Sequence, residues 1–266
     1  MRFTRTESRP GFLGIIFRHP GVPIPCVDDS VGMKLLPFVL GLIAGSVDVI
    51  GFLGLNGLFT AHITGNLVIL AAHIVVGREA SLPLVISVPV FIIVLASTRL
   101  LAAGLERARI ARLPVLLLLQ FVLLCAFLVI CLAADSGVSP NAASMIVASM
   151  LGVSAMAVQN ALGRIALTGA PSTAVLTTNV TSLTMDVGEM LLGRDASRVA
   201  QARDRAKHIW PVIAGFLLGC ALGAFCEASL GLSSIVLPTA FAPIALVLGV
   251  GASLSPAKAL SSIKGE

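Results

Sequence analysis

Asp48 lies deep inside the first long apolar run, with no other charged residue near it in sequence. Ionised and unpaired in hydrocarbon, a carboxylate costs several kcal/mol, so it must be neutral, paired or in touch with water. The chemistry open to it is proton or cation binding, or a hydrogen bond that bridges helices. Further along, His62, Asn66 and His73 recur at helical intervals, and so do Asn179, Ser182, Asp186 and Glu189. Each set therefore shares one helix face. Histidines and carboxylates at membrane depth titrate or pair in proton and ion pathways. The plainer reading makes Asp186 and Glu189 a solvated helix end near Arg194, and His73 an interfacial residue close to Arg78. Arg164, one turn beyond Asn160, is a candidate partner for Asp48.

These residues fall in two related stretches. Thr60-Ala61-His62-Ile63-Thr64-Gly65-Asn66 returns as Thr173-Ala174-Val175-Leu176-Thr177-Thr178-Asn179. Upstream, Ala44-Gly45-Ser46-Val47-Asp48 lines up with Met156-Ala157-Val158-Gln159-Asn160; downstream, Val76-Gly77-Arg78-Glu79-Ala80 lines up with Leu192-Gly193-Arg194-Asp195-Ala196. Asn66 then matches Asn179, His73 matches Asp186, and Asp48 matches Asn160. Three blocks in one order imply a duplicated unit, residues 35–134 and 142–254, a common construction of secondary transporters. The motif threonines, Thr64 and Thr177 among them, join the candidate binding set by position, although small residues and back-bonding threonines also serve close helix packing. Gly215, Gly219 and Gly223 read as such a packing face.

The elements that must hold these residues are membrane helices. Of 266 residues, 57% are apolar and 12% are charged, half the charge of a typical soluble domain at about 25%. Mean hydropathy is +1.01. Apolar segments lie near 35–55, 58–76, 82–105, 113–134, 142–163, 171–192, 209–229 and 233–254. Read as eight transmembrane helices, they put the Arg107–Arg112 loop outside, against the positive-inside tendency. The preferred fold is an all-α polytopic bundle with six crossings plus two broken, re-entrant segments. Every basic cluster, with both termini, then lies on the cytoplasmic side, and the two repeats are inverted copies.

Residues 1–33 are basic and proline-containing, without a cleavage signature, and read as a disordered cytoplasmic tail, with Met33 a candidate start. Residues 34–254 form the membrane domain and 255–266 a cytoplasmic tail. The net charge of +5 comes from loops and tails, which argues for orientation rather than nucleic acid. Cys125, Cys131, Cys220 and Cys226 fall in apolar segments without CxxC spacing, so no metal or redox role is read. The motifs HExxH, G-x-S-x-G, the P-loop and G-x-G-x-x-G are absent. No catalytic residue, cofactor or enzyme activity is expected.

Ala44-Gly45-Ser46-Val47-Asp48, the stretch Gly54 through Thr64-Gly65-Asn66, and Gln159-Asn160 resemble the YoaK/DUF1275 family of bacterial multi-pass inner-membrane proteins. The likeness spans about residues 35–254. It implies the bacterial inner membrane and assigns no activity. The family commonly has Thr-Gly-Thr in the second motif where this chain has Thr177-Thr178-Asn179, so a helix break that depends on that glycine would be weaker here.

The leading expectation is a secondary transporter or permease for a small solute, proton- or cation-coupled. Its partners are the lipid bilayer and that solute, with no nucleic acid and the oligomeric state left open. Its site draws on Asp48, His62, Thr64, Asn66, His73, Asn160, Thr177, Asn179, Asp186 and Glu189. The rival is a membrane scaffold or sensor whose buried polar residues only hold helices together.

Overall fold

The structure, a computed structural model, describes residues 31–77, 81–133, 142–167 and 176–254. They form α1 (Val31–Gly54), α2 (Ile63–Val76), α3 (Leu82–Arg107), α4 (Arg112–Ala133), α5 (Ala143–Ile165), α6 (Leu176–Leu192) and α7 (Ala196–Leu230). A 3-10 turn, Gly231–Ile235, leads into α8 (Val236–Leu254). No strand occurs among the described residues, so the all-α expectation holds.

Leu35–Gly54, Leu82–Arg107, Arg112–Ala133, Ala143–Ile165 and the stretch Ala196–Gly251 are long and apolar enough to cross a membrane. Their outer surfaces are apolar too: Leu100, Val129, Phe225 and Val247 are all exposed. That inverts the pattern of a water-soluble helix, whose polar face looks outward. Helix α2 is different. Its 14 residues extend about 21 Å, short of the ~30 Å hydrocarbon core.

Two expected boundaries move. The segment expected near 58–76 is helical only from Ile63, because the chain leaves α1 at Gly54 and turns through Asn56 and Gly57, at φ 57° and 82°. Left-handed backbone is open to glycine and tolerated by asparagine, and it ends the helix. The segment expected near 209–229 instead begins at Ala196. What reads as the Arg194–Lys207 loop is mostly helix, started by Asp195. That exposed carboxylate accepts hydrogen bonds from the Ser197 hydroxyl at 2.8 Å and its N–H at 2.9 Å. Both bonds stabilise its charged form and hold its pKa below the usual carboxylate range.

Helix α1 is the centre of the bundle and packs most extensively on α7. The two run parallel: Gly41 lies against Val212, Gly45 against Phe216, and Gly223 against Ser46. A Cβ on Gly45, Gly215 or Gly219 would overlap the carbonyl oxygen of Phe216, Phe38 or Leu42. The glycine face read from the sequence therefore sets a backbone-on-backbone approach. Helices α4 and α5 form an antiparallel hairpin, with Gln120 beside Gln159 and Phe127 beside Gly152. Helices α1 and α5 also run antiparallel: Gln159 reaches Leu40, while Gly152 shares the Thr60 methyl with Gly51. Helices α4 and α8 do the same, through Leu124 with Thr239 and Leu117 with Gly249.

Candidate functional site

The turn that leaves α1 folds back onto it and brings backbone N–H groups to Asp48. One carboxylate oxygen accepts from the N–H groups of Thr60 and Ala61, each at 2.8 Å, and from that of His62 at 3.4 Å. The Thr60 hydroxyl stands at 3.4 Å from the same oxygen. The other oxygen meets His62 Nδ1 at 2.6 Å. Asp48 is only 3% exposed, and every lone-pair direction that matters is used. Hydrogen bonds to a charged group are worth about 1.5–3 kcal/mol each, so the cradle offsets much of the cost of burying the charge.

The bend that carries those N–H groups is itself braced. Asn66, on the first turn of α2, accepts from the Phe59 N–H at 2.9 Å and donates back to the Phe59 carbonyl at 2.7 Å. Its amide also donates to the Ser87 hydroxyl of α3 at 3.1 Å. Thr60 is fully buried, its methyl wedged between Gly51 of α1 and Gly152 of α5. Gly65 is needed for a separate reason: a Cβ there would meet the Phe59 ring at 2.7 Å. The glycine of the Thr-Gly-Asn motif thus accommodates a ring inside α2, and the helix break lies upstream at residues 55–62. In the second motif, where Thr178 stands in place of glycine, Thr178 lies in the first turn of α6, and residues 168–175 before it lie outside the described residues.

His62 is the part of this assembly that reaches outward. Its side chain is 29% exposed, and its ring packs edge-on against Phe216 of α7 at 5.4 Å and near Phe59 at 6.4 Å. With Asp48 as acceptor, Nδ1 carries the hydrogen, which leaves Nε2 to take or release a proton. Cys220, one turn beyond Phe216, lies 3.6 Å from the Gly45 carbonyl. Asp48, His62 and Asn66, separated in the sequence, therefore form one constellation.

Asn160 and Asp186 of the second half make no bond to it. Among the described residues, no hydrogen bond or ion pair links Asp48, His62 or Asn66 to Asn160 or Asp186. Asn160 is buried in α5, next to Gln159, which sits two turns of α1 below Asp48. Asp186, 5% exposed, is bound by Arg205 of α7: Nη2 at 2.5 Å and Nε at 3.1 Å, both on the same oxygen. Its other oxygen is buried without a hydrogen-bond partner among the described residues. Glu189 is half-buried one turn on. Asn179 is buried on the same helix. Thr64 and Thr177 are exposed on their helices, and the Thr177 carbonyl accepts from the Thr181 hydroxyl at 2.9 Å. His73 is half-buried in the last turn of α2, its Nδ1 without a partner. Arg164 is exposed at the end of α5 and makes no ion pair with Asp48. Thr173 lies outside the described residues.

Sequence reasoning missed two participants. Arg205 was read into a loop and so had no defined face. Gln120, a polar residue in an otherwise oily α4, donates to Gln159 at 2.6 Å, and Gln159 donates to the Leu40 carbonyl at 3.0 Å. Gln120 could have been found by the same criterion that picked out Asp48. Among the described residues, no group of three or more His, Cys, Asp or Glu side chains gathers as metal ligands.

Compared with known proteins, residues 36–248 match a family model described as a protein of unknown function, DUF1275. No curated protein and no solved structure matches the chain.

Proposed function

The chain belongs to the DUF1275 family, and from the placement of its Asp48–His62 pair we propose that it is a secondary transporter for a small solute, with His62 as the proton carrier. The observation that carries the reading is the Asp48–His62 pair at 2.6 Å, seated where a helix too short to span begins. Helix α2 starts level with Asp48, well inside α1, and ends after 14 residues. Discontinuous helices that begin at such depth are the usual site formers of secondary transporters.

The helix pairing supports a two-fold construction. Exchanging residues 35–134 with 142–254 turns the α1–α7 pair into α5–α3 and the α1–α8 pair into α5–α4, and all four pairs are packed. The self-paired partners, α1 with α5 and α4 with α8, run antiparallel. An odd number of crossings per unit produces that inversion, so six crossings with α2 and α6 as partial elements is the topology of this reading. The Arg107–Arg112 and Arg194–Lys207 regions then face the cytoplasm of a bacterial inner membrane, with both termini. No reaction is assigned to the protein.

In the proposed cycle, His62 Nε2 accepts a proton from the side to which it is open, and the Asp48 carboxylate stabilises the imidazolium. Release to the other side requires the contact of His62 with Phe216 to loosen. Proteoliposomes loaded with a pH-sensitive dye test this directly. Pulses from a panel of organic acids, amino acids and sugars should reveal a solute that changes internal pH, and His62→Gln should abolish the change. If no solute moves protons, or if His62→Gln retains full coupling, the reading fails. One observation favours the scaffold or sensor instead: Asp48 is saturated by backbone donors, as a purely structural residue would be. That alternative expects silence from every solute.

A further inference from the structure

Helix α7 is 35 residues long, well beyond the roughly 20 that a bilayer requires. Its residues differ sharply along that length. From Pro211 to Leu230 the helix carries one charged residue, Glu227, close to its far end; from Ala196 to Trp210 it carries Arg198, Arg203, Asp204, Arg205 and Lys207. Pro211, which lacks an amide hydrogen to offer the Lys207 carbonyl, stands at the junction. The stretch Pro211–Leu230 is about 30 Å long, matching the hydrocarbon core. Trp210 therefore sits at the headgroup level, where amphipathic indoles concentrate. It is the only tryptophan in the chain and is 54% exposed.

Arg203, Lys207 and Trp210 are spaced four and three residues apart, so they share one face of α7. All three are exposed. Arg205 is paired with Asp186, Arg198 with Asp195, and Arg112 with Glu106. Among the described residues, Arg203 and Lys207 have no such ion pair. Asp204 projects ~100° around the helix from Arg203 and ~60° from Lys207, yet among the described residues it forms an ion pair with neither, and Ala202 and Ala206 bury the side of α7 that faces inward. Two unneutralised cations thus stand one to two turns above an interfacial indole. That is the height of a phosphodiester whose acyl chains lie beside Leu217 and Leu218, both exposed.

We infer that Arg203, Lys207 and Trp210 form a binding face for the headgroup of an anionic glycerophospholipid. The cations take the phosphate and the indole lies along the glycerol and upper acyl region. Charge complementarity favours an anionic headgroup over a zwitterionic one, whose own cation would oppose Arg203 and Lys207. The inference stands apart from the transport reading and requires only that α7 crosses a bilayer.

The single tryptophan is the probe. The full-length protein is reconstituted into vesicles of unlabelled phosphatidylcholine containing equal mole fractions of acyl-dibrominated phosphatidylglycerol or phosphatidylcholine, and Trp210 emission is recorded. The brominated anionic lipid should show an apparent affinity about fivefold higher than the zwitterionic one at low salt. That preference should shrink in 0.5 M sodium chloride and fall to parity in the Arg203→Gln, Lys207→Gln double variant. Equal quenching by the two lipids in the native protein overturns the proposal, as does the absence of quenching by either. The salt series decides the matter even where the double variant does not reconstitute. Solute-driven proton flux is measured separately, so loss of one result leaves the other intact.

Discussion

Two buried carboxylates, one in each half of the chain, are held in opposite ways. Asp48 is bound mainly by backbone: the N–H groups of Thr60 and Ala61 converge on one oxygen, and the partly exposed His62 takes the other. Asp186 is bound by a single side chain, Arg205, which is 56% exposed and uses only one of the two oxygens. The first arrangement cannot open without unfolding the bend at residues 55–62. The second can open by rotation of one arginine. The partner differs as well, since an imidazole can gain or lose a proton and a guanidinium stays charged. The first half therefore sets a backbone-held carboxylate against an ionisable ring, and the second a buried carboxylate against an exposed, permanently charged side chain.

The largest expected effect breaks the first arrangement outright. Asp48→Ala leaves the N–H groups of Thr60, Ala61 and His62, with the His62 ring, without their acceptor, and unpaired donors of this kind cost about 1–3 kcal/mol each, so a loss of about 3–5 kcal/mol is expected. Asp48→Asn keeps an acceptor oxygen for the Thr60 and Ala61 N–H groups, so it should cost about half as much. Thermal unfolding in detergent, followed by light scattering, ranks the two. A ranking in which Asn is as damaging as Ala would mean that the charge, and not the hydrogen-bond acceptor, holds the bend.

A smaller effect tests whether the bend or the carboxylate comes first. Asn66→Ala removes both bonds to Phe59 and the bond to Ser87 while leaving Asp48 untouched. Buried backbone groups left unpaired cost about 1–3 kcal/mol each, so a loss of about 2 kcal/mol is expected. Hydrogen exchange at Phe59, Thr60 and Ala61 should accelerate together. If only Phe59 accelerates, Asp48 holds the cradle without help from Asn66.

Much of this was legible in the sequence. A charge isolated in an apolar run must find a partner, and Asp48 did. The grouping of His62 with Asn66 on the motif that follows was legible too, from their four-residue spacing, although His62 precedes the first turn of α2 and does not lie within it. The identity of the partner was not. Asp48 and His62 meet only because Asn56 and Gly57 turn the chain back, and a continuous apolar pattern from residue 58 conceals that turn. Arg164 looked closer along the repeat, yet it belongs to a helix that runs antiparallel to α1. Asp186 likewise pairs with Arg205 and not with the first-half histidines: helix faces are read from spacing, but depth along the bundle depends on packing. The α1–α7 glycine contacts set that depth, and the glycine spacing announced a close approach without naming its partner.

The smallest effect converts the second pair into the chemistry of the first. Arg205→His keeps a cation opposite Asp186 at low pH and removes it at high pH. A histidine that gains a carboxylate partner on folding has its folded pKa raised above the unfolded value near 6.5. Its contribution is therefore complete below about pH 6 and disappears as pH rises through the folded value. Because the site is more than half open on the cationic side, solvent screening should keep the contribution small. Native protein should show no corresponding change between pH 5.5 and 8 from this pair, since a guanidinium holds its charge throughout. The variant should match native stability at pH 5.5 and fall slightly below it at pH 8. A variant with equal stability at both pH values would mean that the bare Asp186 oxygen, and not the cation, governs this end of α6. A fall of several kcal/mol would mean that Arg205 is as immovable as the backbone around Asp48, and the contrast between the two halves would be lost.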